Sequence, residues 1–223
     1  MSLQSLRVQR FKAVVDSKTV KLGPLTAFIG NNGAGKSSLI EALETYQSIV
    51  RDGLDVAMQR WLGIEHVRHK GQPAKERLDE AIAPISFELA LGDSPRKVNR
   101  LALTVNNDPA GNRMFIASER LSRLDGTWLE RDTKGGIVPY DAGRSMLAPA
   151  YDAVTVQTHD EVLAWQFLTM SPERMGLPVP QQRTKGDVRL ANDGSNVADF
   201  LLDLRRQDAN AFDGIVETMA YVL

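Results

Sequence analysis

Leu25-Thr26-Ala27-Phe28-Ile29-Gly30-Asn31-Asn32-Gly33-Ala34-Gly35-Lys36-Ser37 is a short apolar run that empties into a glycine-rich octet. Gly30 to Ser37 fit the pattern G-x-x-x-x-G-K-[ST] with no mismatch. Each position has a chemical reason. Gly33 and Gly35 permit backbone angles that a Cβ obstructs, so successive N–H groups can turn toward an anion. A helix starting near Lys36 adds its free N–H donors and positive dipole end to the same spot. The Lys36 ammonium should reach the β- and γ-phosphates, and the Ser37 hydroxyl should take one place on octahedral magnesium. At average residue usage the bare octet arises by chance in on the order of one per cent of chains this long. Its flanks sharpen it, because the motif requires a buried strand before it and a helix after it.

The octet implies ATP and Mg2+ as cofactors. The binding set is Gly30, Asn31, Asn32, Gly33, Ala34, Gly35, Lys36, Ser37 and Ser38, with Lys36 as the catalytic candidate and Ser37 as the metal ligand.

Outward from the octet, Leu25 to Ile29 reads as a buried parallel strand. Before it, Leu6 and Val8 alternate with polar neighbours and Phe11 closes a first strand. After it, Leu39, Ile40, Leu43, Tyr46 and Val50 fall on one helical face, and Gly53 is expected to interrupt that helix. A second amphipathic stretch covers Leu54 to Leu62. Gly63 to Lys75 is polar, basic and punctuated by Gly and Pro, so it reads as a loop.

The period then changes from helical to two. Ile85, Phe87, Leu89 and Leu91 alternate with Ser86, Glu88 and Ala90; Leu101, Leu103 and Val105 repeat the pattern, and Met114 with Ile116 open a third run. Turn chemistry separates the runs at 92–95 and 106–111. These features predict an antiparallel meander with one wet face, inserted after the first helix. From Ala153 the chain reads as helical. Ser195 or Asn196 should cap a helix carrying Val197, Phe200, Leu201 and Leu204, and a last helix carries Phe212, Ile215, Val216, Met219 and Val222. The sequence stops at Leu223 without a glycine cap or polar tail, which reads as a fragment. The expected division is 1–150, a nucleotide-binding lobe with its antiparallel subdomain, and 151–223, a mainly helical segment.

Composition sets the outer limits. In 223 residues, 43% are hydrophobic and 25% charged, an ordinary globular balance rather than a disordered one. The net charge of −1 gives no whole-chain attraction to nucleic acid or anionic membrane. The chain has no cysteine, which removes disulfides, thiolate catalysis and Cys-type zinc sites. No apolar run approaches the ~18 residues of a membrane span, and Met1 to Arg7 lacks a signal-peptide layout. The expected compartment is the cytoplasm, with no membrane partner.

The octet and its surroundings, Phe28 to Leu43, resemble the start of SMC/RecF-type ATPases, the ABC-like branch of the AAA-labelled P-loop proteins. Asn32-Gly33 inside the loop and Glu41-Ala42-Leu43 in the helix carry the likeness, and Leu6-Arg7-Val8-Gln9-Arg10-Phe11-Lys12 is similar to that group's first strand. By the resemblance Lys12 is a second phosphate contact; a solvated strand-end lysine is the plain alternative. Fainter likeness runs through Gly53-Leu54-Asp55, Glu119-Arg120-Leu121, Trp165-Gln166-Phe167, Ser171-Pro172-Glu173 and Asp193 to Val197. The resemblance implies an α/β fold, a P-loop NTPase lobe of ABC/SMC type with an inserted antiparallel β-meander and a C-terminal helical segment. It implies ATP hydrolysis in the complete protein by an ATP-dependent homodimer, in processes such as DNA repair or phage defence.

The rest of that family's hydrolytic set is missing from the pattern. Asp160-Glu161 is preceded by Gln157-Thr158-His159, which breaks the apolar run a Walker B strand needs. Phe200 to Asp203 lies in a helical pattern, and Leu121 to Gly126 reads as a hairpin turn rather than a signature segment. Gln157, Gln166, Gln181 and Gln182 are unranked candidates for the lobe-linking glutamine. The chain thus reads as the Walker A half, and a non-hydrolysing nucleotide sensor is the alternative.

A GTPase would rest on Thr184-Lys185-Gly186-Asp187 and Asp108-Pro109-Ala110-Gly111, neither of which follows a buried strand. A small-molecule kinase would need a lid of arginines, and Arg205-Arg206 lie on a helix whose solvated face accounts for them. DNA contact would rest on Arg60, His66, Arg68, His69, Lys70, Lys75 and Arg77, where aromatic interleaving is poor and a solvated loop is the simpler reading. His66, His69 and His159 form no recognisable metal motif, although His66 and His69 flank one turn with Glu65 beside them. Trp61, Trp128 and Trp165 read as packing residues.

Overall fold

The computed structural model describes residues 2–70, 83–94, 97–108, 113–132, 142–149, 152–178 and 188–222. It is a mixed α/β chain built on an antiparallel sheet. Residues divide by contact into two compact units, Met1–Trp165 and Gln166–Leu223. The division falls after Trp165 rather than after residue 150, because the first helix beyond that point packs back on the sheet unit.

The first unit grows from strand β1 (Ser2–Phe11), which buries Leu6 and Val8 at the expected spacing of two. Arg10 then takes a left-handed φ of 57°. That turn shifts the alternation by one residue, so that Phe11 faces the core. One edge of β1 takes β2 (Val14–Asp16) and the two-residue β3 (Val20–Lys21); the other edge takes β4 (Ile85–Ser94). From β4 the sheet continues as a meander through β5 (Lys97–Asn107), β6 (Met114–Arg123) and β7 (Gly126–Asp132). The order is β2-β1-β4-β5-β6-β7, with β3 beside β1, and every pairing is antiparallel. The expected meander is therefore present, with a fourth strand beyond the third run.

The expected strand at Leu25–Ile29 is not. After Leu22 N–H donates to the Gln4 carbonyl, the chain leaves the sheet, and residues 25–29 carry no strand pairing. Leu25 is 93% exposed and Ile29 95%. The correction has a plain cause. An apolar run becomes a buried strand only where a neighbour completes its ladder, and both edges of β1 are already occupied by β2, β3 and β4. Among the described residues no parallel neighbour exists for it.

Helix α1 (Lys36–Asp52) lies against the core face of the sheet and buries Leu39, Ala42, Leu43, Tyr46, Ile49 and Val50. Ile40, expected on the same face, is 43% exposed; at 100° per residue it sits a quarter-turn from the Leu39–Leu43–Tyr46–Val50 line. Phe87 of β4 packs between Phe11 and Tyr46, each ring centroid 6.0 Å away. Gly53 ends α1 with a φ of 93°, as expected. Helix α2 (Leu54–Gln59) follows, shorter than the 54–62 stretch, and a four-residue turn of helix α3 (Ile64–Val67) lies inside what read as loop.

Helix α4 (Ala153–Ala164) begins with a capping box. The Asp152 carboxylate accepts from Val154 N–H and Thr155 N–H, while Thr155 Oγ1 accepts from Asp152 N–H. Its far end is held by Gln47 of α1, whose amide Nε2 donates to the carbonyls of Val162, Leu163 and Trp165.

The second unit contains the short helix α5 (Pro172–Met175) and helices α6 (Val197–Gln207) and α7 (Ala209–Val222). Asn196 occupies the N-cap position of α6 as expected, yet its side chain makes no cap bond. It accepts from Ala191 N–H and donates to the Arg189 carbonyl instead. Among the described residues no helix is long and apolar enough to cross a membrane.

Candidate functional site

The octet forms the turn that feeds α1. Gly30, Gly33 and Gly35 all hold positive φ, at 153°, 84° and 87°. Gly33 needs its conformation and not its lack of volume, since a Cβ there would meet nothing within 4 Å. Gly35 needs both, because a Cβ would approach Val14 Cγ2 of β2 to 3.1 Å. The strand expected beneath the loop is absent, so the loop is braced instead from the side, by the β1–β2 hairpin.

Gly35 is also the N-cap of α1, and it supplies no side chain to accept from the first-turn N–H groups. Acidic residues are absent from that first turn. Free amides and a positive dipole end are therefore left in front of the loop, the combination that favours an anion. Lys36 Nζ donates to the carbonyls of Gly30 and Asn31, both at 2.7 Å. The ammonium is thus folded over the loop rather than extended into solvent. Asn31, Asn32, Gly33, Ala34 and Ser37 are exposed, and the Ala34 N–H donates to the Asn31 carbonyl at 3.2 Å to close the turn. Ser38 is buried against the core, so of the two serines Ser37 is the one whose hydroxyl is open to a ligand. The residues present fit a polyphosphate: a glycine turn, uncapped amides and a lysine at one mouth. For magnesium they offer the Ser37 hydroxyl, and no group of three His, Cys, Asp or Glu side chains gathers elsewhere among the described residues.

Lys12 lies beside the same helix. Its Nζ is 2.9 Å from Glu41 Oε2 and 3.3 Å from the centre of the Trp61 ring. The Trp61 indole N–H donates in turn to Thr45 Oγ1. Trp61 is therefore more than packing: it and Glu41 fix the position of the lysine. This partnership of Lys12 with Glu41 spans 29 positions and has no local signal in the sequence.

The remaining candidates are scattered. Asp160 and Glu161 sit in α4, with Asp160 beside His159, and Leu121 to Gly126 form the β6–β7 hairpin. Phe200 to Asp203 and Arg205-Arg206 lie in α6. Gln166 donates to the Leu190 carbonyl. Asp108 N–H donates to the Arg113 carbonyl and its carboxylate accepts from Arg113 N–H, while 109–111 lie outside the described residues. Gln181, Gln182 and 184–187 lie outside the described residues.

The basic stretch is largely engaged. Arg60 pairs with Glu44, Arg68 donates to the side chains of Asn106 and Asn107, and the His69 ring nitrogen meets the Lys12 carbonyl at 2.7 Å. Lys75 and Arg77 lie outside the described residues.

Glu119 of β6 carries no local sequence signal for the role it takes in the fold. Only 4% exposed, its carboxylate accepts from Ser145 Oγ and Met146 N–H and so ties the 142–149 segment to the sheet. Burial pushes its pKa above the ordinary value of 4.5, and the hydrogen bonds oppose that shift only in part. No family model, curated protein or solved structure matches this chain.

Proposed function

We propose that this protein binds ATP with magnesium at Gly30–Ser38 and belongs to the ABC/SMC/RecF-like ATPases, acting through a nucleotide-dependent homodimer. One observation carries the reading. The Lys36 ammonium is folded over the carbonyls of Gly30 and Asn31 in front of a helix whose glycine N-cap leaves its first amides free. Bound ATP would supply the triphosphate and its magnesium the charge neutralisation. Lys36 would offer its ammonium to the β- and γ-oxygens, Gly33 to Ser38 their main-chain amides, and Ser37 its hydroxyl to the metal. Phosphoryl transfer depends mainly on such positioning and charge stabilisation, so residues brought by a second protomer would add rate without new covalent chemistry.

A second reading, a nucleotide sensor without turnover, draws support from Asp160 and Glu161. Their place in helix α4 is not that of a carboxylate at the end of a strand beside the loop.

The test is ATP binding by calorimetry with Lys36→Ala, checked for folding by circular dichroism. Loss of at least about tenfold in affinity, the worth of one charge-assisted contact, with an unchanged spectrum is expected. Equal affinity would remove Lys36 from the site. Phosphate release measured on the same protein separates the ATPase from the sensor.

A further inference from the structure

The sheet has a second face, turned away from α1, and its strands gather arginines around one shallow cavity of about 190 Å³. The register places them. Arg7 lies opposite Glu88, Glu88 opposite Ala102, and Ala102 opposite Arg120 in one cross-strand row. In the next row Ala90 lies opposite Arg100, and Arg100 opposite Ser122. Arg100 and Arg120 are therefore diagonal neighbours on adjacent strands, with Cα atoms roughly 7–8 Å apart. Ala90 and Ala102 keep the floor between these rows low, so a ligand can reach the guanidinium groups.

The three arginines are not equally committed. Arg7 spends Nε and Nη2 on Asp16, at 3.1 and 3.0 Å, and is closed to a further anion. Among the described residues Arg120 has only loose partners, Glu130 at 3.7 Å and Thr127 Oγ1 at 3.4 Å. Arg100 is exposed and has no ion pair or hydrogen-bonded carboxylate among the described residues. A guanidinium has five N–H donors in a fixed fork. Arg100 and Arg120 line the same cavity, and two like charges at one cavity are electrostatically unfavourable until an anion lies between them.

We propose that Arg100 and Arg120 form a binding site for a phosphate group on the open face of the sheet, separate from the glycine loop. A carboxylate has two oxygens in one plane and is served by a single guanidinium fork. A phosphate presents three oxygens tetrahedrally and can bridge two forks arriving from neighbouring strands. Glu88 lines the same cavity and works against the anion, which gives the site a built-in control.

The experiment is a titration of the 15N-labelled protein with inorganic phosphate, read amide by amide, so that the glycine loop and the sheet face report separately. Saturable shifts at Ala90, Arg100, Ala102 and Ser122 are expected. Arg100→Gln and Arg120→Gln should each weaken them by about tenfold, as loss of a charge-assisted contact does. Glu88→Gln should strengthen them, with its folded spectrum unchanged because Glu88 is exposed. A second arm uses N-acetyl-phosphoserine amide; tighter binding than phosphate assigns the site to a phosphorylated side chain, equal or weaker binding to a free phosphate. Shifts confined to residues 30–38, or sheet-face shifts that survive Arg100→Gln, would overturn the proposal. Neither result touches the glycine-loop reading, whose amides are followed in the same spectra.

Discussion

Lys12 Nζ stands 2.9 Å from Glu41 Oε2 of α1, and the Trp61 ring covers it at 3.3 Å. Both side chains of the pair are under a third exposed. Lys12→Met should therefore lower stability by about 1 kcal/mol, combining a part-screened ion pair with a cation–π contact. Urea denaturation of Lys12→Met, Glu41→Gln and the double variant gives the coupling directly. A coupling energy near zero would mean that the pair is incidental.

The two glycines of the loop should differ in their tolerance. Gly33→Ala meets open space and costs only the left-handed backbone, about 1 kcal/mol. Gly35→Ala adds the close approach to Val14 Cγ2 and should cost about 2 kcal/mol or more. Gly35→Ala combined with Val14→Ala should recover part of the loss. Thermal unfolding of the three variants decides it, and equal losses at the two glycines would contradict the bracing of the loop by β2.

Glu119 links stability to pH. Its folded pKa is raised, so between the ordinary 4.5 and the higher folded value the native state holds a proton that the unfolded state has lost. Stability contributed by this group is full below the unfolded value and falls as pH rises through the folded one. Glu119→Gln should flatten that slope in urea denaturations taken from pH 4 to 8. Glu119→Ala should cost about 2–4 kcal/mol, because the Ser145 hydroxyl and Met146 N–H lose their buried acceptor. A wild-type slope unchanged in Glu119→Gln would show that another group titrates.

Asp193 acts with the opposite sign. Hydrogen bonds from Ser195 and from Arg174 hold its carboxyl down at about 2, below its ordinary 3.8. Its contribution is present above 3.8 and is lost as pH falls toward 2. The neighbouring Gly194 holds a φ of 74° against Met170 and Met175. Limited proteolysis of Gly194→Val should open the Gln166–Leu223 unit at lower protease than wild type while the sheet unit survives. Simultaneous loss of both units would show them to be one cooperative body.

Nucleotide-dependent association is the last expectation. Sedimentation with ATP and magnesium should show a dimer that Lys36→Ala cannot form. A monomer at saturating ATP would leave nucleotide binding in place and remove the homodimer.

Much of this protein was written locally. The octet, the α1 line of Leu39, Leu43, Tyr46 and Val50, the break at Gly53 and the period-two runs of the meander each depend on residues a few positions apart, where backbone sterics and side-chain period act directly. Tertiary structure decided what needs a neighbour from far along the chain. Leu25 to Ile29 have the composition of a buried strand, yet Leu25 and Ile29 lie exposed and the run pairs with no strand, because β1 spends both its edges on β2, β3 and β4. Lys12 found Glu41 and Trp61, Glu119 found Ser145, and Arg100 came to lie diagonal to Arg120, only once the sheet had set its register. Period and propensity act within a few residues, whereas burial and charge pairing are properties of the assembled fold.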